Sequence, residues 1–173
     1  IVSALYELPF GTGKPLLGKA PRALNFVVGG WQLQGWYEGT TGAALGFGNA
    51  IFNGNLSDIP LPVAQRTSDR WFNTNAGFER DSRRALGSNI RFLPSRFGGV
   101  RADGINNWDL SLFKTFRIRE RWNMQFRMES FNALNHVEFA SPDTNPASSA
   151  FGTITAERGH GQRQVTFAWK LLF

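Results

Sequence analysis

Two histidines are the first candidates for chemistry in this chain. His136 and His160 are its only histidines, and it contains no cysteine, which excludes disulfides, Cys-based zinc sites and thiol nucleophiles. Both histidines fall on expected loops and neither has a helical His partner, so hydrogen bonding within turns is the simpler interpretation. We therefore expect no metal and no cofactor.

A second candidate is an acid–base cluster of Asp109, Arg127 and Glu129, because carboxylates beside a basic group can transfer protons. Residue alternation places these three, together with Gln125, on one polar face of neighbouring strands. On such a face a ladder of charges satisfies itself and lines a wet interior. The sequence has neither nucleophile-elbow nor Walker spacing, so we expect no enzyme.

Arginines are concentrated in one long connection. Guanidinium groups pair with phosphate in a bidentate manner, so this stretch could attract nucleic acid, an anionic ligand or lipopolysaccharide. The alternative is that these side chains hold the loop together by bonding backbone carbonyls and carboxylates such as Asp81 and Asp103. Nucleic-acid binding needs interleaved stacking rings, and the rings lie mostly on strand faces, so we expect no nucleic-acid partner. The arginines are Arg80, Arg83, Arg84, Arg91, Arg96 and Arg101.

Composition limits the class of protein that must position these residues. The chain has 173 residues, a formal charge of +6, 42% hydrophobic residues and 14% aromatic residues. Charged residues make up 18%, below the roughly 25% of soluble domains. Mean hydropathy is −0.27, and the sequence contains no apolar run long enough for a membrane-spanning helix. The composition does not exclude a transmembrane β-barrel, because the strands of such a barrel are apolar only at alternate positions.

Alternation predicts an all-β fold. Apolar and polar residues exchange at a period of two, which predicts strands near 1–10, 30–45, 107–117, 121–132 and 162–173. Phe113 interrupts the polar face. Lys114 interrupts the apolar one, and we expect it near a strand end where its ammonium can reach water. The residues expected to face lipid are Trp108, Leu110, Leu112, Trp122, Met124, Phe126 and Met128.

The connections favour an antiparallel meander that forms the last strands of a transmembrane barrel. Strands 107–117 and 121–132 are joined by a short turn, whereas 46–106 and 133–160 are long and leave from the same side. Outer-membrane barrels combine short periplasmic turns with long extracellular loops. Trp71, Phe72 and Phe78 indicate that the first long loop packs on itself or folds into the lumen, since exposed rings are costly. Helix should be minor and confined to loops.

The two ends of the chain add separate indications. Ile1 begins inside an expected strand without an initiator Met, which favours a fragment that has lost its N-terminal part. The last strand ends on an aromatic residue, a pattern typical of outer-membrane barrels, in which the final strand is recognised by the assembly machinery. The residues of this signal are Val165, Phe167, Trp169, Leu171 and Phe173.

Several segments resemble TonB-dependent receptors. The similarity is to their carboxy-terminal barrel, and it extends over nearly the whole chain. The segments that carry it are YELPFGTGK, GGWQLQG, RWFNTNAGF, NNWDLSLFKTFRIRERWNMQFRMESFNALNHVEFASPDT at 106–144, FGTI at 151–154 and the final strand. The branch most similar often carries an N-terminal carboxypeptidase-regulatory-like domain. The resemblance implies the bacterial outer membrane and the last strands of a barrel of about 22 strands.

The same resemblance implies the partners. These are outer-membrane lipid with an aromatic girdle, the barrel-assembly machinery and an unknown transported ligand. TonB would be reached only through a plug and coupling box upstream of these residues. The alternative function is a soluble or surface all-β module that binds carbohydrate or acts as an adhesin, in which ring-bearing faces pack together and few rings are exposed. A basic nucleic-acid-binding domain ranks last.

Overall fold

A computed structural model describes residues 1–84, 92–119, 122–159 and 161–173. Arg91 and His160, two of the residues singled out above, lie outside these ranges. The described residues form two compact units. The sheet unit comprises residues 1–39, 106–136 and 162–173, and the loop unit comprises 40–105 and 137–161.

The sheet unit is a five-stranded sheet whose strands follow one another in chain order, as expected. The strands are β1 (Val2–Glu7), β2 (Trp31–Thr40), β5 (Ile105–Arg119), β6 (Trp122–Phe131) and β7 (Gln164–Leu172). Antiparallel pairing joins β1 to β2, β5 to β6 and β6 to β7. β1 and β7 are the two edges of this sheet, so the barrel is not closed by these strands. The all-β, antiparallel fold class is thus confirmed.

One predicted strand was too long. The expected strand at 30–45 ends at Thr40, and the two residues of β3 (Ala44–Leu45) instead pair with β4 (Phe97–Arg101) in a separate two-stranded sheet of the loop unit. The chain turns at Gly42, where a Cβ atom would lie 1.7 Å from the carbonyl oxygen of Ala102. Only glycine allows this approach of two backbones, which is why alternation did not reveal the break.

Between β1 and β2 the chain forms a short helix, α1 (Arg22–Val28). It starts after Pro21 and ends at Gly29, whose N–H donates to the Asn25 carbonyl at 2.9 Å. Proline at a helix start and glycine at its end are the usual boundary signals. Helix therefore occurs in a connection, as expected. In the described ranges we find no helix with the length and hydropathy of a membrane span.

The expectation for Lys114 is wrong. It lies well inside β5, its side chain is buried, and its ammonium donates to the carbonyl oxygens of Val27 and Gly29 at the end of α1. Rings of Trp31 and Phe116 flank the ammonium at 5.4 and 5.1 Å. The charge is tolerated because carbonyls with no partner inside the helix accept its hydrogen bonds, in place of water.

The loop unit has an aromatic core of its own. Trp71, Phe72 and Phe78 are all buried there, so these rings of the first long loop do pack together. Phe151, from the second long loop, lies edge-on to Phe72 and Phe78 at 5.2 and 5.1 Å. Burial of such large rings supplies most of the stabilisation available to this irregular segment.

Candidate functional site

A cleft of about 340 Å³ opens in the loop unit, within the roughly 300 to 1,000 Å³ of ligand pockets. Three segments form its walls: 47–51, which follows β3, 79–84, and 144–147 from the second long loop. Its lining combines carboxylate, guanidinium, amide and hydroxyl groups with a few apolar surfaces. The lining residues are Phe47, Gly48, Asn49, Ala50, Ile51, Glu79, Asp81, Arg84, Thr144, Asn145, Pro146 and Ala147.

Backbone pairing fixes the first two walls against each other. The N–H of Glu79 donates to the carbonyl of Ile51 at 3.0 Å, and the N–H of Asn53 donates to that of Gly77 at 2.9 Å. Gly77 has a φ of +121°, and a Cβ there would lie 2.6 Å from Gly54 Cα. Two glycines therefore let the strand-like segments approach closely enough to present Glu79 beside Ile51.

The third wall is built by side chains that bind backbone two residues ahead. Asp143 Oδ1 accepts the N–H of Asn145 at 2.8 Å, and Asn145 Oδ1 accepts that of Ala147 at 3.1 Å. Such Asx turns hold an irregular loop in one shape without regular secondary structure. Arg80 then ties this wall to the second, since its Nε donates to the Pro146 carbonyl at 3.3 Å.

Most loop arginines are engaged within the loop unit. Arg83 pairs with Asp81 at 2.8 Å, and Arg84 pairs with Glu79 at 3.3 Å. Arg101 Nη1 donates to the Gly42 carbonyl at 2.9 Å. These contacts match the interpretation in which the arginines hold the loop together. Asp103 differs from this expectation: among the described residues its carboxylate accepts backbone N–H groups instead of an arginine, including that of Phe139 at 2.9 Å.

The acidic groups of the cleft are held ionised. The backbone N–H of Asp81 donates to Glu79 and lowers the pKa of that carboxyl, with a further contribution from Arg84. Hydrogen bonds from the Arg83 side chain and backbone lower the pKa of Asp81. At neutral pH the cleft therefore offers fixed acceptors beside the exposed guanidinium of Arg84, an arrangement that recognises hydroxyl, amide or charged groups by hydrogen bonding.

On the polar face of the sheet, the four expected side chains do not form one cluster. Arg127 Nη2 lies 2.6 Å from Glu129, and its guanidinium stands 4.9 Å from the Phe113 ring centroid. Phe113, the apparent break in this face, is thus the platform for Arg127. Asp109 does not join the pair: its Oδ1 accepts the Asn132 N–H at 2.9 Å, where β6 ends. Gln125 stands opposite Thr115.

The expected apolar residues share the opposite face of the same sheet. Cross-strand register pairs Leu112 with Met128 and Met128 with Phe167, and it pairs Phe126 with Trp169. Phe126 and Trp169 have ring centroids 4.9 Å apart. Also on this face are Trp108, whose ring lies 4.6 Å from Tyr37, and Leu110, Trp122, Met124, Val165 and Leu171. Phe173 follows β7, with its ring 5.7 Å from that of Trp122.

On β7 the rings of this apolar face are exposed. The relative exposures of Phe167 and Trp169 are 63% and 61%, in contrast to the few exposed rings that a soluble sandwich module predicts. That alternative function therefore finds no support in the packing. Contact of this face with lipid stays a prediction.

Sequence reasoning missed the cleft. Its walls depend on Asx turns and glycine contacts between segments far apart in sequence, and neither leaves a periodic signal. His136 lies in the loop that follows the turn at 132–134, where its backbone N–H donates to Asn132 Oδ1 at 2.8 Å and its carbonyl accepts from Asn132 Nδ2 at 2.8 Å. Within the described ranges no group of three His, Asp or Glu side chains is placed to hold a metal ion.

Comparison with known proteins gives one match. A family model described as an outer membrane beta barrel domain matches residues 1–166. Neither the curated proteins nor the solved structures contain a match to the chain.

Proposed function

Because the chain belongs to the outer membrane beta barrel domain family and is thereby assigned to the bacterial outer membrane, we propose that it is part of a TonB-dependent receptor. In this proposal the sheet unit is a section of the barrel wall, and the loop unit recognises a ligand that the receptor takes up. No bond is made or broken. Energy comes from TonB through regions upstream of Ile1.

The observation that carries the proposal is the folded loop unit. A barrel that only encloses a pore needs no folded insertion with an aromatic core of its own. Here the segments after β2 and after β6 combine into one unit around Phe72, Phe78 and Phe151. Rigid support of a cleft reduces the entropy that a ligand must overcome on binding, which favours recognition over passive flow.

The remaining partners follow from the same proposal. The ring-bearing face contacts outer-membrane lipid, with Trp108 and Trp122 near strand ends in the interfacial girdle. The alternating segment from Val165 to Phe173 is recognised by the barrel-assembly machinery. Carboxylates pair with Arg83 and Arg84 and offset their charge, and we propose no nucleic-acid partner.

The test is energised uptake by cells that express the protein. A labelled panel of ferric siderophores, cobalamin, oligosaccharides and peptides is offered to cells with and without TonB, and uptake is measured with and without a protonophore. We expect uptake of one ligand class that disappears in both treatments. Uptake that persists at the same rate without TonB would show a passive pore and overturn the proposal.

The cleft is tested in the same cells with two variants. Glu79→Gln and Thr144→Ala change lining groups, whereas Arg66→Gln changes an arginine of the loop unit that does not line the cleft. Losing one charged hydrogen bond should raise the half-saturating ligand concentration about tenfold for Glu79→Gln. Arg66→Gln should transport like the unaltered protein. Equal transport by all three would place recognition elsewhere.

A further inference from the structure

A second cavity lies within the sheet unit, at the end of the sheet opposite the departure of the chain into the long loops. Its volume is about 630 Å³, and it lies between the segment 7–32, which contains α1, and residues 114–117 of β5. The strand registers place four residues at this end of the sheet: Glu7, Gln32, Arg117 and Leu172. Nothing in the uptake function proposed above uses this cavity.

The charge of this cavity is strongly unbalanced. Four cationic side chains line it, Lys14, Arg22, Lys114 and Arg117, against the single carboxylate of Glu7. Lys14 is paired with Glu7 at 2.6 Å, and the Lys114 ammonium donates its hydrogen bonds to carbonyls at the end of α1. Among the described residues, Arg22 and Arg117 have no carboxylate at ion-pair distance. We therefore take the guanidinium groups of Arg22 and Arg117 as the candidates to bind an anion in this cavity.

Apolar residues of the same segment accompany this charge. Phe26 of α1 packs against Phe116 with ring centroids 5.0 Å apart, so α1 lies on the ring-bearing face of β5. The outward side of this segment carries exposed apolar residues, with relative exposures of 49% for Leu16, 50% for Leu17 and 62% for Val27. A cationic site in a segment that also carries exposed apolar residues suits a ligand with an anionic headgroup and an apolar tail.

We propose that this cavity binds the phosphate headgroup of an anionic phospholipid from the membrane leaflet at this end of the sheet. Arg22 and Arg117 pair with the phosphate oxygens at the end of the sheet, where Arg117 comes from the polar face of β5. The acyl chains lie on the opposite, ring-bearing face, against Phe26 and Val27. Basic pockets beside membrane-embedded surfaces bind such headgroups, and arginine gives bidentate pairing. Lys114 is a positioning residue, because it holds α1 against β5 and so maintains one wall.

The test measures lipid binding to the purified protein. Phosphatidylglycerol or phosphatidylcholine is titrated into the protein in detergent micelles, and bound lipid is counted by native mass spectrometry. We expect phosphatidylglycerol to be preferred, and the double variant Arg22→Gln, Arg117→Gln to bind it about tenfold more weakly. The matched control, Lys19→Gln, removes an exposed cation of the same segment that does not line the cavity and should bind as the unaltered protein does.

Three results would overturn the proposal. These are equal binding of the two lipids, unchanged binding by the double variant, or displacement of phosphatidylglycerol by an equal concentration of glycerol 3-phosphate. The last would identify a soluble organophosphate as the ligand instead of a lipid. Because this measurement needs neither TonB nor a transported ligand, its failure leaves the uptake proposal standing, and loss of uptake leaves the lipid site standing.

Discussion

Lys114 Nζ lies 3.1 Å from the carbonyl oxygen of Val27, a residue 87 positions earlier in the chain. This contact joins the middle of β5 to the C-terminal end of α1. A cation at that position meets both the negative end of the helix and carbonyls that have no partner inside it. This hydrogen bond explains how a lysine occupies a strand face that is otherwise apolar.

Removing this cation should loosen α1. In Lys114→Met the Gly29 carbonyl loses the ammonium donor, and the Val27 carbonyl keeps only the Trp31 indole N–H, at 2.9 Å. The free energy of opening α1 should then fall by about 2 kcal/mol. Hydrogen–deuterium exchange of amides 22–29 measures this directly, and Lys170→Met, on the exposed edge strand β7, is the matched control. Unchanged exchange in Lys114→Met would show that the contact does not hold the helix.

The pair formed by Arg127 and Glu129 should show modest coupling. Their side chains are 39% and 27% exposed, so solvent screens the attraction and a coupling energy of about 1 kcal/mol is expected. A double-mutant cycle with Arg127→Gln and Glu129→Gln, measured by denaturant unfolding in detergent, isolates this energy. A coupling indistinguishable from zero would mean that the ion pair is not maintained in solution.

The aromatic core of the loop unit should dominate its stability. Phe72 is fully buried, whereas Phe92 is 53% exposed. Phe72→Ala should destabilise the loop unit by about 3 to 5 kcal/mol, because it leaves a cavity among packed rings. Limited proteolysis should then cleave within 40–105 far faster than in the control, Phe92→Ala. Equal cleavage rates would contradict the core described above.

Acid should weaken the loop unit through Glu79 and Asp81. Both carboxyls have a lowered pKa in the folded protein, so their contribution is complete above the pKa of the unfolded chain and is lost as pH falls through the folded value. The unfolding temperature should therefore be constant from neutral pH to about pH 5 and decline below it. The variant Glu79→Gln, Asp81→Asn should show a shallower decline. An identical pH profile would contradict this origin.

Periodicity was a good guide to the sheet unit because its strands are long and their two faces meet different surroundings. It predicted the order of β1, β2, β5, β6 and β7 and the shared face of Met128 and Phe167. It failed at Lys114, since a helix that covers one point of a strand leaves no trace in the strand's own pattern. The break at Gly42 and the pairing of β3 with β4 likewise depend on contacts between distant residues.

The loop unit was predictable only in part. Its rings signalled burial, because Trp71, Phe72 and Phe78 are too apolar for a solvated loop. The contribution of Phe151 and the cleft beside Glu79 were not predictable, since they depend on how two loops fold together. Asp109 shows the same limit on a strand. Its position on the polar face predicted a place in a row of charged side chains, but its carboxylate accepts the N–H of Asn132, just after the end of β6.

The most direct measurement is a single-cysteine scan of β6 and β7, which is feasible because the chain contains no cysteine. Spin labels at 123–129 and 164–171, in the protein reconstituted into lipid vesicles, report their accessibility to oxygen dissolved in hydrocarbon and to a polar nickel complex in water. We expect strict alternation, with positions 126, 167 and 169 open to oxygen and positions 125, 127 and 166 open to nickel. Positions 126, 167 and 169 closed to both reagents would indicate a dry protein interior and contradict an outer-membrane wall.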